Sequence, residues 1–197
     1  MKQGASRHAL ADRANDLYET PEVATRALLQ VLPVSWAPRR VWEPCAGRGA
    51  IARVLRADGM DVIAQDLVAY PGADPGIATP IDFLMERKAP AECDRIITNP
   101  PYKLADAFIR HGLELGCEVI VLLRLMAIEG AGRSDLMDRH CRTVWAGIER
   151  LPTMHREGWT GPKLSNSGAP FAWFHFRPEP RRRVEPIALH RISWRAA

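Results

Sequence analysis

Residues 40–66 read RVWEPCAGRGAIARVLRADGMDVIAQD and hold the most informative pattern in the chain. A short strand pattern at Arg40–Glu43 leads into a loop with two glycines, and a helical pattern covers Ala50–Ala57. A glycine ends that helix, and a second strand pattern at Asp61–Gln65 stops at Asp66. This order of elements predicts one unit of a parallel sheet covered by helices.

The same alternation extends in both directions. A helix is expected from Pro21 to about Leu32, with Thr20 as its N-cap. Further along, a strand at Arg95–Thr98 and a helix at Leu104–Leu115 precede a strongly apolar strand at Glu118–Leu123. Strands that alternate with helices predict an α/β fold with a parallel, doubly covered sheet.

Composition narrows the class of protein. The chain has 197 residues, of which 47% are hydrophobic and 25% charged, so one folded domain is expected. No apolar run approaches the roughly 18 residues of a membrane span, and the first residues do not resemble a signal peptide. We therefore expect a cytoplasmic protein. Its four cysteines and six histidines lack ligand spacing, so no metal site is expected.

The positive charge is concentrated at the C-terminus. Residues 177–197 carry six Arg and two Glu, which accounts for the whole net charge of +4. We expect a domain over residues 1–176, with an irregular arm at 1–17, and a basic Pro/Arg-rich tail over 177–197. A basic tail favours a polyanionic partner, although a tail kept only for solubility fits equally well.

Polar and glycine residues follow the predicted strands at one edge of the sheet, where ligands of such folds bind. Gly47 and Gly49 let the backbone approach a ligand closely, and the helix start supplies free N–H groups. Glu43 precedes this loop, and Asp66 lies at the end of the next strand, where a carboxylate can accept two hydrogen bonds from a ribose. The pattern indicates an adenosine-containing cofactor; a tight turn with two surface acids is the alternative.

Two motifs resemble a known family. The sequence Glu43–Gly49 (EPCAGRG) followed by Asn99–Tyr102 (NPPY) resembles the class I S-adenosylmethionine-dependent methyltransferases that modify amino groups. Tyr18–Pro21 (YETP) resembles a short motif that precedes the glycine loop in many adenine-N6 DNA methyltransferases. The resemblance implies a single Rossmann-like domain with a mostly parallel seven-stranded sheet, helices on both faces and an antiparallel C-terminal hairpin. Strand patterns at Val144–Ile148 and Phe171–Phe176 would form that hairpin.

The resemblance also implies S-adenosylmethionine as cofactor. Glu43 would face its methionine ammonium group, Asp66 its ribose, and Asp82 its adenine amino group, with Phe83 packing on the adenine. Thr20 and its neighbours would close over the methionine end. The implied cofactor-binding residues are Tyr18, Thr20, Pro21, Glu43, Pro44, Cys45, Ala46, Gly47, Gly49, Asp66, Leu67, Asp82, Phe83 and Asn99.

The chemistry of an exocyclic amino group explains the NPPY residues. Its lone pair is delocalised into the ring, so methylation requires the nitrogen to become pyramidal while charge develops on it. The side-chain oxygen of Asn99 and the carbonyl of Pro100 would accept its two N–H groups, and Pro101 helps fix that backbone. Tyr102 offers a flat face on which a base can stack. Positioning then supplies most of the catalysis.

A base inside a duplex must leave the stack to reach such a site. Phe171 is the expected second wall for that base, with Trp173 behind it, although most of this aromatic strand must be core. In the loop between the last two strands, Arg156, Trp159 and Lys163 suit phosphate contact and stacking.

Together these features predict a methyltransferase that acts on the N6 amino group of adenine in DNA. A separate recognition domain has no room in this chain, so weak or short sequence specificity is expected. RNA adenine and a protein glutamine amide are alternative substrates, since both present a planar amino group. A nucleic-acid-binding relative without turnover is the alternative from another class.

Overall fold

The computed structural model describes residues 17–33, 40–152, 167–180 and 185–195. Its helices are α1 (Glu22–Val31), α2 (Ala50–Ala57), α3 (Ala105–Glu114) and α4 (Ser134–His140). Its strands are β1 (Arg40–Glu43), β2 (Asp61–Gln65), β3 (Ile77–Ala78), β4 (Arg95–Thr98), β5 (Glu118–Arg124), β6 (Cys141–Gly147), β7 (Phe171–Phe176) and β8 (Ala188–Ile192).

The strands form one eight-stranded sheet in the order β3-β2-β1-β4-β5-β7-β6-β8. The first five strands are parallel, and β7 runs antiparallel to both β5 and β6. Because parallel neighbours need crossover connections, α2 joins β1 to β2 and α3 joins β4 to β5. The predicted α/β fold, with its mostly parallel sheet and antiparallel hairpin, is confirmed.

Helices cover both faces of the sheet. Successive strand residues point to opposite faces, so Val41 packs with α1 and α2 while its neighbour Trp42 packs with α3. Ile51 and Leu55 of α2 fill the first layer, and Ile109 of α3 lies in the second. These contacts bury the sheet's centre and leave the carboxyl ends of its strands free to build a site.

Two of the eight strands were not predicted, and one of them lies in the region predicted to be the tail. The short β3 lies inside the Gly/Pro-rich loop, and β8 lies beyond residue 176 and pairs parallel with β6. Trp194, which follows β8, is 2% exposed, and its indole Nε1 donates to the carbonyl of Glu149 at 2.9 Å. The boundary predicted after residue 176 therefore leaves out a strand and a buried tryptophan. Four of the five β8 residues are exposed, so no hydrophobic alternation marks this edge strand.

Candidate cofactor and substrate site

A cavity of about 1090 Å³ opens at the carboxyl ends of β1, β2, β4 and β5. Ligand pockets span roughly 300–1,000 Å³, so a nucleoside-sized cofactor and a further planar group both have room. The predicted residues that line it are Tyr18, Thr20, Glu43, Pro44, Cys45, Ala46, Gly47, Asp66, Leu67, Asp82, Phe83, Asn99, Pro101 and Tyr102. The predicted residues Pro21, Gly49, Pro100 and Phe171 do not belong to this lining.

The glycine loop after β1 depends on left-handed backbone at both glycines. Gly47 has φ +56° and Gly49 has φ +87°, a region that side chains strongly disfavour. A Cβ on Gly47 would lie 2.7 Å from Cδ1 of Leu17, so the chain before α1 also lies directly over the loop. Gly49 is the N-cap of α2 and does not line the cavity, so its contact with a cofactor stays a prediction.

Asp66 ties the glycine loop to the end of β2. Its Oδ2 accepts from the backbone N–H of Gly47 at 2.7 Å, and its Oδ1 accepts from Val68 at 2.9 Å. Asp66 is 4% exposed, and burial raises the pKa of its carboxyl group. The carboxylate thus holds the loop in place. Its oxygens have further lone pairs, and their contact with a ribose stays a prediction.

Glu43 is a buried acid in the cavity wall. It is 1% exposed, and burial raises the pKa of its carboxyl group well above the ordinary range. Oε2 has no hydrogen-bond partner among the described residues. A buried carboxylate oxygen without a donor is costly, and a cationic donor from a ligand would satisfy it. An unsatisfied carboxylate oxygen at this position suits the ammonium group of an amino-acid-like cofactor.

The structure corrects the expectation for Phe83. Its ring is 2% exposed and packs against Trp42 and Phe108, with ring centroids 5.0 and 4.9 Å away. Phe83 reaches the cavity only at its edge and belongs mainly to the core beneath it, so it offers little surface for packing on an adenine. Asp82 is exposed and its Oδ1 accepts from the backbone N–H of Leu84 at 3.0 Å.

The side-chain amide of Asn99 is oriented by the segment before α1. Its Nδ2 donates to Oγ1 of Thr20 at 3.1 Å and to the carbonyl of Tyr18 at 3.4 Å. Because a carbonyl can only accept, nitrogen must face Tyr18, and Oδ1 of Asn99 is directed away from that segment. The expected N-cap role of Thr20 is wrong: α1 begins at Glu22 with Pro21 as N-cap and no side-chain cap.

Tyr102 lies in a small aromatic group. Its ring centroid is 5.8 Å from that of Tyr18 and 6.4 Å from that of Phe171. Phe171 is only 6% exposed and Trp173 is fully buried, with its Nε1 bonded to the carbonyl of Ala24. The structure therefore brings Phe171 beside Tyr102 but leaves it little surface to serve as the second wall of a base pocket.

Arg124 is a cavity residue that the sequence reasoning missed. Its Cζ lies 5.1 Å from the centroid of the Tyr102 ring. The predicted strand stopped one residue earlier, at Leu123, although a charged residue at the carboxyl end of an apolar strand is the same feature that drew attention to Asp66. The predicted substrate residues Arg156, Trp159 and Lys163 lie outside the described residues.

Neither a metal site nor a membrane-spanning helix is present in the described part of the chain. No cluster of three or more His, Cys, Asp or Glu side chains there is arranged to hold a metal ion. No helix there has the length and apolar character that crossing a bilayer requires.

No protein-family model matches the sequence, and no curated protein matches it either. Solved structures do resemble it. A proposed RNA methyltransferase from Pyrococcus horikoshii is 14% identical, with a TM-score of 0.58 over 89% of this chain and 93% of its own. The 23S rRNA methyltransferase ErmE is 17% identical, with a TM-score of 0.51 over 85% of this chain and 71% of its own.

A third similar structure is the modification subunit of a proposed type I restriction enzyme from Vibrio vulnificus YJ016. It is 14% identical, with a TM-score of 0.54 over 86% of this chain but 46% of its own. The element order, the sheet topology and these similarities agree, and the chain has the Rossmann-like fold of class I methyltransferases.

Proposed function

We propose that the protein transfers a methyl group from S-adenosylmethionine to the N6 amino group of adenine in DNA. The orientation of Asn99 carries this proposal. Its amide nitrogen donates to Thr20 and to the Tyr18 carbonyl, so the oxygen is the atom of this side chain that can accept from a substrate N–H group. A planar amino group is the substrate that such an acceptor beside a stacking ring suits best.

The cavity contains groups suited to S-adenosylmethionine. Glu43 offers its unsatisfied carboxylate oxygen to the ammonium group, and Gly47 lets the backbone pass close beneath the cofactor. Asp66 maintains the shape of that loop, and the exposed Asp82 lines the same cavity. When bound, the cofactor supplies a methyl group attached to a positively charged sulfur.

Asn99, Pro100 and Tyr102 prepare the amino group for transfer. Oδ1 of Asn99 accepts one of its hydrogens, which favours a pyramidal nitrogen and stabilises the positive charge that develops there. The carbonyl of Pro100 stays a prediction as the second acceptor, since Pro100 is buried and outside the cavity lining. Pro101 restricts the backbone so that the carbonyl keeps its direction. Tyr102 stacks on the base, and no strong general base is needed, because the proton becomes acidic only after transfer.

RNA adenine is the second candidate substrate. The similar folds include a proposed RNA methyltransferase and a 23S rRNA methyltransferase as well as the modification subunit of a proposed type I restriction enzyme. The net charge of +4 suits either polyanion.

Incubation with S-adenosylmethionine labelled on its methyl group tests the proposal. The acceptors are single-stranded and duplex DNA with one adenine, RNA of the same sequence, and total protein. We expect label in N6-methyladenine of DNA, identified by mass spectrometry after digestion. Label in RNA alone favours the second candidate, and label only in protein overturns both. Duplexes varied around the adenine measure specificity, and strict dependence on four or more bases contradicts a short recognition site.

A further inference from the structure

Arg124 lies over the part of Tyr102 that a substrate base would need. The guanidinium carbon is 5.1 Å from the centre of the Tyr102 ring, which is within the range of a cation–π contact. Tyr102 is partly buried and packs against the core, so an exposed side chain above it lies on its open side. Both residues line the cavity, so the guanidinium lies over the ring where a base stacked on Tyr102 would need space.

Arg124 is available to move. It is the last residue of β5, is exposed, and lines the cavity. Within the described residues it forms no ion pair. Its guanidinium lies over the Tyr102 ring, and a cation–π contact at an exposed site is weak enough to be exchanged for a base.

A base held on Tyr102 requires a second wall, and Phe171 is too buried to provide it. A guanidinium plane can do so, because arginine stacks on bases as aromatic rings do. Stacked atoms sit about 3.5–4.0 Å apart, so a sandwich needs walls about 7–8 Å apart. Starting from 5.1 Å, the guanidinium must retreat by about 2–3 Å, a rotamer change for an exposed side chain.

We propose that Arg124 and Tyr102 form the two walls of the target-base pocket, with the guanidinium in the base's place until substrate enters. This inference deepens the proposed function, on which it rests, by naming how the base is recognised. It also favours nucleic acids as the substrate class: the two broad aromatic faces of a base can stack on both walls, whereas a glutamine side chain offers only a small amide plane.

The test compares binding of two short single-stranded DNAs, one with a central adenine and one with an abasic site there, in the presence of S-adenosylhomocysteine. Their affinity ratio measures the contribution of the base, whereas phosphate contacts affect both DNAs equally. Arg124→Lys keeps the positive charge but loses the flat guanidinium, and Arg124→Ala loses both. Lys88→Gln is the matched control, an exposed charge change outside the cavity lining.

We expect the wild-type protein to prefer the adenine DNA by roughly 5- to 100-fold, the range for one stacked base. Arg124→Lys should reduce this ratio to less than about threefold and leave abasic binding within twofold. Arg124→Ala should also weaken abasic binding and reduce its salt dependence. Lys88→Gln should keep the wild-type ratio.

A wild-type ratio in Arg124→Lys overturns the inference, as does a wild-type protein that shows no preference for adenine. The affinity ratio is a binding measurement, so its outcome does not depend on whether the protein transfers methyl groups. A protein that prefers adenine through Arg124 but transfers no methyl group would contradict the proposed function alone.

Discussion

Thr20 and Asn99 are 79 residues apart in the chain and are joined by a hydrogen bond of 3.1 Å between the hydroxyl oxygen and the amide nitrogen. Both side chains line the cavity, and Thr20 is 5% exposed. The bond links the segment before α1 to the turn after β4. The direction of the Asn99 oxygen therefore depends on Thr20, a residue outside the NPPY motif.

Replacing Thr20 by Val should lower kcat for methyl transfer by about three- to tenfold. Valine has nearly the same shape but cannot accept from Asn99, and one such bond is worth about 0.5–1.5 kcal/mol. Thr20→Ser keeps the hydroxyl and should restore most of the rate. Steady-state kinetics measure the effect on kcat, and calorimetry measures the effect on cofactor affinity. A fall in cofactor affinity with unchanged kcat would contradict a positioning role for Thr20.

Asn99→Ala should reduce methyl transfer by 100-fold or more, since removing one donor or acceptor at developing charge costs about 10²–10³ in rate. Cofactor affinity should stay within about threefold, because the methionine ammonium is expected at Glu43. Single-turnover assays and calorimetry measure the two quantities. Asn99→Asp tests the amide: the carboxylate cannot donate to the Tyr18 carbonyl, so transfer should also be lost. A near-normal rate of methyl transfer in Asn99→Ala would contradict the acceptor role of Asn99. A wild-type protein that binds nucleic acid but transfers no methyl group, and whose binding is unchanged in Asn99→Ala, would favour a binding protein without turnover.

Glu43→Gln should stabilise the cofactor-free protein near neutral pH. Burial raises the pKa of Glu43 above its ordinary value of 4.5, so the folded chain binds the proton more tightly than the unfolded chain does. That contribution to stability is complete below pH 4.5 and is lost as pH rises through the raised pKa. The glutamine does not titrate, so thermal unfolding followed across pH should show a flatter profile for the variant.

The same substitution should weaken S-adenosylmethionine binding by tenfold or more, because a neutral amide replaces the carboxylate. In the wild type, affinity should rise with pH as Glu43 ionises. Calorimetry at several pH values measures this slope. An equal slope in Glu43→Gln would assign the pH dependence to another group.

The parallel half of the sheet was accessible from sequence because its strands are buried. The predicted bounds of β1, α2, β2 and β4 are those of the structure. Buried strands and amphipathic helices leave a periodic apolar pattern, and glycines mark where they end. The antiparallel half was less accessible: β6 begins at Cys141, three residues before the predicted start, since its first residues include half-exposed ones.

The site was predictable where it depends on chain position and not where it depends on packing. Glu43, Asp66 and Asn99 follow buried strands, so topology alone brings them to one edge. Burial of Phe83 depends on Trp42 and Phe108 from other elements, and nothing in the local sequence reveals it. The same holds for the contact between Tyr102, in the turn after β4, and Arg124, at the end of β5.

Trp194→Ala should destabilise the protein by about 3–5 kcal/mol, as expected when a large buried aromatic side chain is removed. Trp194 is 2% exposed, and both its backbone and its indole N–H groups bond to Glu149. Leu189→Ala on β8 is the control, since Leu189 is 61% exposed and should change stability by less than about 0.5 kcal/mol. Urea unfolding gives both values.

Gly147→Ala probes the same contact from the opposite side. A Cβ at that position would lie 2.1 Å from Nε1 of Trp194, so the indole must shift and lose its packing. We expect a loss of stability of about 1–3 kcal/mol, the usual range for overpacking. In the double variant with Trp194→Ala, the added methyl group should cost almost nothing, because the atom it strikes is gone. A cost below about 1 kcal/mol for Trp194→Ala, together with a neutral Gly147→Ala, would contradict this. In that case β8 is a dispensable extension, and the predicted boundary at residue 176 marks the end of the folding unit.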